Sequence, residues 1–334
     1  MDKLVSIVMP VKNAMPFLKE CLDSILNQTY KNWELLAVDD SSNDHSNTLL
    51  NQYTTKDNRI QVLTSQGDGI ISALQTGYKA SKGIYIHRMD ADDIMVPAKL
   101  KTLHNLLKKH GKETVATGHV RYFSKNGIGE GYRNYEKWLN ALCDNQNHWQ
   151  SIYKECVIAS PCWMVHRDDF DKSGGFNSAL YPEDYDLVFR FYKYGLKVVS
   201  ALETLHLWRD HQSRTSRNHE HYQQNAFFKI KLHYFFQLDR DPERPLVVWG
   251  AGPKGKIMAK LLKLLNQEFI WVSNNPKKHG KEIYNQVMES YKIIITEKKP
   301  QVIVTVAQRN AQKEIITFLN NNKLIENTDF YLFR

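Results

Sequence analysis

Short apolar runs recur along the first ninety residues, and a stretch with helical spacing separates each from the next. The runs are LVSIVMP (4–10), WELLAVDD (33–40), residues 59–63 and GIYI (83–86). Between the first two, Phe17, Leu18, Cys21, Leu22, Ile25 and Leu26 recur at three- and four-residue intervals, which predicts a helix over 16–26. Asp44 is placed to cap a second helix reaching about Tyr53, and a third is predicted over 70–81. Strands that alternate with helices imply a parallel sheet covered on both faces. In such sheets ligands bind beyond the carboxyl ends of the strands.

Polar residues gather at those predicted ends: Pro10, Asp39 with Asp40, and HRMDADD (87–93). The last segment follows the buried run GIYI and brings three carboxylates, Asp90, Asp92 and Asp93. Acids at a strand end are costly unless a cation holds them. Carboxylate oxygens suit a hard divalent ion such as Mg²⁺ or Mn²⁺, which can grip substrate phosphates as well. The alternative is a solvated acidic turn ahead of the helix that Pro97 opens.

Farther along, residues 125–135 read as a loop, 135–153 as an aromatic helix and VIASPCWMVH (157–166) as a strand. A turn at Gly174-Gly175-Phe176 precedes a helix over 183–194, which Gly195 stops. A linker helix is predicted over about 218–238, and Asp241-Pro242 and Arg244-Pro245 mark a boundary. The alternation then restarts: LVVWGAGPKGK (246–256) is strand, glycine turn and helix start. Strands are predicted at 268–272, IIIT (293–296) and VIVTVA (302–307), with a helix over 308–320. The expected domains are therefore 1–217, a linker helix 218–242 and a smaller α/β unit 243–334.

A chain of 334 residues is long enough for two real cores, and 42% apolar with 24% charged residues is a globular balance. No apolar run approaches the ~18 residues of a membrane span. The apolar start lacks a charged leader and a cleavage site, so no signal peptide is expected. Cys21, Cys143, Cys156 and Cys162 show no paired spacing and read as reduced thiols of a cytoplasmic protein. The net charge of +9 is uneven: residues 243–334 carry 15 lysines and arginines against 8 acids. Such a module can attract nucleic acid or an anionic membrane surface, or simply be a solvated lysine face.

Taken in order, VSIVMPVKNA, ELLAVDDSSND, HRMDADD and PEDYDL (182–187) resemble the family 2 glycosyltransferases, nucleotide-diphospho-sugar transferases of the GT-A fold. The resemblance implies an α/β, Rossmann-like GT-A sheet carrying a second, smaller Rossmann-like domain. It implies a nucleotide-sugar donor, UDP-linked in many members, held by Pro10, Asn13, Asp39, Asp40, Arg88 and Asp90. Asp39 would meet the nucleobase and Asp40 the ribose side. Mn²⁺ or Mg²⁺ would be held by Asp92 and Asp90. Arg209-x-His211-x-x matches a segment that often follows, which implies His211 as a further metal ligand; a structural or solvated histidine is the alternative. Arg88 would face the diphosphate, or else pair with an acid. Asp184 would be the general base of an inverting transfer, although acids at a helix start are favoured by the macrodipole anyway. Glu183 and Trp163 would border the acceptor, with a core tryptophan as the other reading.

Two features depart from or extend the pattern. Many members place tyrosine two residues after the first-strand proline, to stack on uracil; here Lys12 stands there. Gly250-Ala251-Gly252-Pro253-Lys254-Gly255 fits a dinucleotide fingerprint, but the next strand ends in Ser273, Asn274 and Asn275 rather than an acid. An NAD-dependent oxidoreductase is therefore the reading from another class, and glycines that allow tight packing are the simpler one. The whole arrangement also resembles the queuosine-tRNA galactosyltransferase family, through Tyr135-x-x-Trp138-Leu139-Asn140, Pro182-Glu183-Asp184, the glycine-turn tail and NTDFYLF (327–333). The expected acceptor is a surface or lipid-linked glycan, with tRNA as the alternative. The apolar linker helix could touch the inner face of a membrane peripherally.

Overall fold

Val5–Val11 (β1), Trp33–Asp39 (β2), Ile60–Thr64 (β3) and Tyr85–Arg88 (β4) are strands of one sheet, separated by Met15–Leu26 (α1), Ser46–Thr54 (α2) and Gly69–Ala80 (α3). The computed structural model describes residues 3–178, 180–214 and 227–333. Two units emerge, Met1–Trp149 with Val157–Arg214, and Gln150–Cys156 with Thr215–Arg334.

The first unit continues with Ile94–Met95 (β5), Lys99–His110 (α4), Thr114–Phe123 (β6) and Glu130–Asn145 (α5). Trp163–His166 (β7), Arg167–Lys172 (α6), Glu183–Lys193 (α7) and Lys197–Arg209 (β8) complete it. Its eight strands run in the order β3-β2-β1-β4-β7-β6-β8-β5. The four strands β1 to β4 pair in parallel, in the register Val8 with Arg88 and Val11 with Asp39. The parallel sheet expected of the first ninety residues is present in β1 to β4; beyond them β7 runs antiparallel to β4 and β6, and β5 antiparallel to β8. An apolar run encodes burial on two faces, not direction. Val165 of β7 sits between Ile86 and Val115 and is buried whichever way the strand points.

Other boundaries moved as well. Helix α5 begins at Glu130, inside the predicted loop, and ends at Asn145, where Gln146 turns left-handed. The strand predicted over 157–166 is reduced to its last four residues. Asp44 does not cap α2 through its N-cap position, which is His45; its carboxylate instead accepts from Ser46 N at 2.9 Å and Met15 N at 3.1 Å, joining α1 to α2.

In the second unit Leu246–Trp249 (β9), Ile270–Ser273 (β10), Met288–Ser290 (β11), Gln301–Val304 (β12) and Phe330–Leu332 (β13) form a sheet ordered β11-β10-β9-β12-β13, all in parallel. Phe227–Leu238 (α8), Pro253–Leu264 (α9) and Arg309–Asn321 (α10) are its helices. The strand predicted at IIIT is a 3₁₀ turn, Tyr291–Ile295, begun by the Ser290 side chain accepting from Lys292 N. Helix α8 buries Phe228, Ile230, Leu232, Tyr234 and Phe235. Residues 218–226 of the predicted linker helix lie outside the described residues. A Cβ on Gly255 would sit 1.9 Å from the Gly250 carbonyl oxygen. The glycines thus let α9 close onto the end of β9.

All four cysteines are free and buried. Among the described residues no helix is long and apolar enough to cross a membrane.

Candidate active site

The parallel register brings the ends of β1, β2 and β4 to one edge. Just past β1, Asn13 adopts φ 51°, a left-handed conformation asparagine tolerates better than most residues. Its N–H donates to Ser42 Oγ at 3.0 Å, and its Oδ1 accepts from Asn43 N at 2.8 Å. This ties the loop after β1 to the loop after β2. Pro10 is partly exposed beside it. Asp39 ends β2 at 7% exposure and accepts from Ser42 N at 3.3 Å and Asn47 Nδ2 at 3.2 Å. Asp40 accepts from Gly69 N at the start of α3 and from Lys12 Nζ, both at 3.1 Å. Lys12, which replaces the expected aromatic ring, is therefore the counter-ion of Asp40.

Beyond β4 the acid turn is held from two sides. Arg88 is buried and forked: Nε donates to Asp90 Oδ1 at 2.9 Å and Nη1 to Glu183 Oε1 at 3.1 Å. Of the two expectations for Arg88, the structure shows the acid pairing. It also joins the turn to the start of α7, where Glu183, Asp184 and Asp186 crowd the first turn. On the other side, Arg209 at the end of β8 donates its Nε to the Asp92 carbonyl at 2.6 Å and its backbone N–H to Asp93 Oδ1 at 2.8 Å. Two residues on, His211 Nε2 lies 2.8 Å from Asp92 Oδ2, and its ring packs tilted against Phe17 with centroids 4.4 Å apart.

These contacts set the charges. Burial pushes the Asp90 carboxyl up, and Arg88 only partly offsets it. Burial acts on Asp92 in the same direction, but the His211 hydrogen bond and the Arg214 charge outweigh it, so Asp92 stays below the usual carboxylate range. Asp184 is raised to about 7 by burial and by the neighbouring Glu183 charge, against the pull of Arg88. A carboxyl poised there is ionised in a useful fraction near neutrality and can still accept a proton.

Asp92 and His211 offer a carboxylate oxygen and an imidazole nitrogen side by side, a donor pair that fits Mn²⁺ or Mg²⁺ with phosphate oxygens and water completing the shell. Among the described residues no group of three or more His, Cys, Asp or Glu side chains converges as a metal shell.

Trp163 does not border an open acceptor site. Its ring is 1% exposed and packs against Phe170, Phe176 and Phe191, so the core reading holds. A cavity of about 480 Å³ lined in part by Gln75, Tyr78, Asp171 and Phe176 lies elsewhere in this unit and includes none of the site acids. The sequence pattern gave Arg209 no role beyond its place in the motif and did not single out Arg214. Arg214 sits over the rings of Tyr122, Tyr132 and Trp208, and its charge reaches Asp92 and Asp93. The available signal was the arginine spacing in RDHQSR (209–214), directly after a strand.

The sequence model of glycosyl transferase family 2 matches residues 6–174. Glycosyltransferase GlyG of Streptococcus pneumoniae is 27% identical over 217 residues, covering 63% of this chain and 71% of GlyG. The O-antigen biosynthesis glycosyltransferase WbnJ of Escherichia coli is 28% identical over 234 residues, covering 68% of this chain and 88% of WbnJ. Among solved structures, Staphylococcus aureus TarS 1-349 in complex with UDP-GlcNAc superposes with a TM-score of 0.56 at 16% identity, over 72% of this chain and 68% of that one. At that identity the likeness is one of fold.

Proposed function

From a chain that belongs to glycosyl transferase family 2, and is therefore a glycosyltransferase, we infer a metal-dependent, inverting transfer of a sugar from a nucleoside-diphospho-sugar, UDP-linked by preference, to an acceptor hydroxyl. The observation that carries this reading is the chain of contacts from Asp90 through Arg88 to Glu183, because it puts the acid turn and the start of α7 in one charged network.

Asp39 and Asp40 would receive the nucleobase and ribose, each already oriented by two donors. Pro10 and Asn13 shape the same edge. Asp92 and His211, with Asp90 beside them, would hold Mn²⁺ or Mg²⁺; such an ion supplies charge to stabilise the departing diphosphate. Arg214 adds a fixed cation on that side. Arg88 is already engaged by two acids, so its part is to set the charge of Asp90 and Asp184 rather than to bind phosphate alone. Asp184 takes the proton of the acceptor hydroxyl as its oxygen bonds to the anomeric carbon and the bond to the diphosphate breaks. Attack from the face opposite the leaving group inverts the anomeric configuration. Glu183, held by Arg88, would border the acceptor.

The acceptor we favour is a cell-surface glycan or its lipid-linked precursor, in line with the O-antigen relative. A second reading, glycosylation of a tRNA base such as queuosine, draws on one observation: residues 243–334 hold 15 basic against 8 acidic residues. The oxidoreductase alternative is set aside, because the family match and the relatives make the protein a transferase. The glycine turn is accounted for by packing.

The deciding experiment incubates the full chain with Mn²⁺ or Mg²⁺ and a panel of nucleotide sugars and measures free nucleotide. Release from one donor, lost in Asp92→Ala, supports the proposal; no release from any donor with either metal sinks it. Salt-dependent retention of tRNA, with sugar incorporated into it, would move the acceptor to the second reading.

A further inference from the structure

Lys99, the first residue of α4, is 0% exposed, an unusual place for an ammonium group. Its Nζ donates to the Pro161 carbonyl at 2.6 Å and lies 2.9 Å from Nδ1 of His206. His206, also 0% exposed, sits on β8 with Nε2 3.0 Å from Asp93 Oδ2. The other oxygen of Asp93 accepts from Arg209 N at 2.8 Å. A lysine ammonium can only donate, so Nδ1 of His206 accepts and its proton stands on Nε2, directed at Asp93. The three groups thus form a buried hydrogen-bonded row that runs from Lys99 through the His206 imidazole to Asp93.

Burying such a row costs desolvation, and an apolar filling of the same volume would be as stable or more so. What an apolar filling lacks is direction. Asp93 follows Asp92 in the acid turn, and Arg209 precedes His211 by two residues on a different strand. Fastening Asp93 to the end of β8 therefore fixes how the Asp92 carboxylate and the His211 imidazole face each other.

We propose that Lys99, His206 and Asp93 are positioning residues, a hydrogen-bonded row behind the acid turn that sets the geometry of the Asp92–His211 pair and through it the affinity for the divalent ion. This rests on the metal-dependent reading above and names the support of that site. None of the three touches substrate in this scheme.

The test uses the full-length protein and reads binding rather than turnover. Mn²⁺ affinity is measured by electron paramagnetic resonance, and UDP affinity without metal by calorimetry. His206→Phe and Lys99→Met are expected to weaken Mn²⁺ about 10- to 100-fold, the usual effect of removing support from a ligand. UDP binding without metal should stay within about twofold, because Asp39 and Asp40 are held by other donors. His206→Gln, whose amide can accept at one atom and donate at the other, should recover most of the loss. Unchanged Mn²⁺ affinity in the variants, or parallel loss of Mn²⁺ and UDP, overturns the positioning role while leaving the function intact. Absence of Mn²⁺ binding by the unaltered protein overturns both. Should the variants fail to fold, ¹⁵N resonances of His206 in the unaltered protein decide: a proton on Nε2 alone supports the row, and a proton on Nδ1 refutes it.

Discussion

Arg88 Nη1 stands 3.1 Å from Glu183 Oε1, with neither side chain more than 5% exposed. The two residues are far apart in the chain, one ending β4 and the other opening α7. Their pairing makes the acid turn and the first turn of α7 one electrostatic object, since Nε of the same arginine serves Asp90. A planar guanidinium can hold two carboxylates at fixed angles; a lysine cannot.

Removing that fork should be costly in two distinguishable ways. Arg88→Met leaves the buried Glu183 and the partly buried Asp90 without this partner and should destabilise the first unit by about 3 kcal/mol. Where the protein still folds, loss of the cation should also raise the Asp184 carboxyl further and move the acid limb of the rate profile to higher pH. Urea unfolding and the pH dependence of nucleotide release check the two effects separately. An unmoved acid limb would show that Arg88 does not act on Asp184.

Asp184 should govern the acid limb itself. A base works ionised, so activity is expected to rise with pH through about 7 and level off above it. Asp184→Asn should lower the rate about 10²- to 10⁴-fold and flatten that limb. Stability has the opposite sign. The native state binds this proton more tightly than the unfolded chain, so the contribution is complete below the unfolded carboxyl value and fades as pH rises through about 7. The asparagine variant should therefore gain on the unaltered protein from about pH 4 to about 7 in chemical denaturation, with no further gain above that.

Chelation should abolish nucleotide release, and added Mn²⁺ or Mg²⁺ should restore it. His211→Ala should raise the metal concentration needed for half-maximal rate on the order of 10-fold or more, with a smaller effect at saturating metal. Asp92→Ala should not be rescued by excess metal. Equal loss at all metal concentrations in His211→Ala would assign the histidine to packing on Phe17 instead.

In the second unit, Gly255→Ala places a methyl group against the Gly250 carbonyl and must push α9 away from β9. A loss of about 1–3 kcal/mol in that unit is expected, read as an earlier proteolytic cut within 243–334. Unchanged protease resistance would mean the turn relaxes without cost.

The alternation of β1 to β4 with α1 to α3 was legible because periods of two and 3.6 leave different apolar patterns, and glycines and polar residues punctuate them. The same patterns placed Pro10, Asp39 and the acids of 90–93 at strand ends. Strand direction was not legible: β7 is apolar on both faces, and its antiparallel course depends on neighbours more than forty residues away. IIIT misled because three isoleucines promise a strand, while Ser290 in front of them starts a turn. The partners of Arg88, Lys99 and His206 were invisible for a simpler reason. Nothing in a sequence says which acid a buried cation will meet once the chain has closed. RDHQSR showed its charges, but only the fold shows that Arg209 grips the acid turn while Arg214 lies among three aromatic rings.

The four thiols have a practical consequence. All are buried, and desolvation holds those of Cys21, Cys143 and Cys162 well away from ionisation. Alkylating reagents attack thiolate, so intact molecules should resist labelling while opened ones take it up at once. The protein thus carries its own clock for unfolding, and Cys21, whose Sγ donates to the Asp90 carbonyl at 3.6 Å, ticks when the floor beneath the acids gives way.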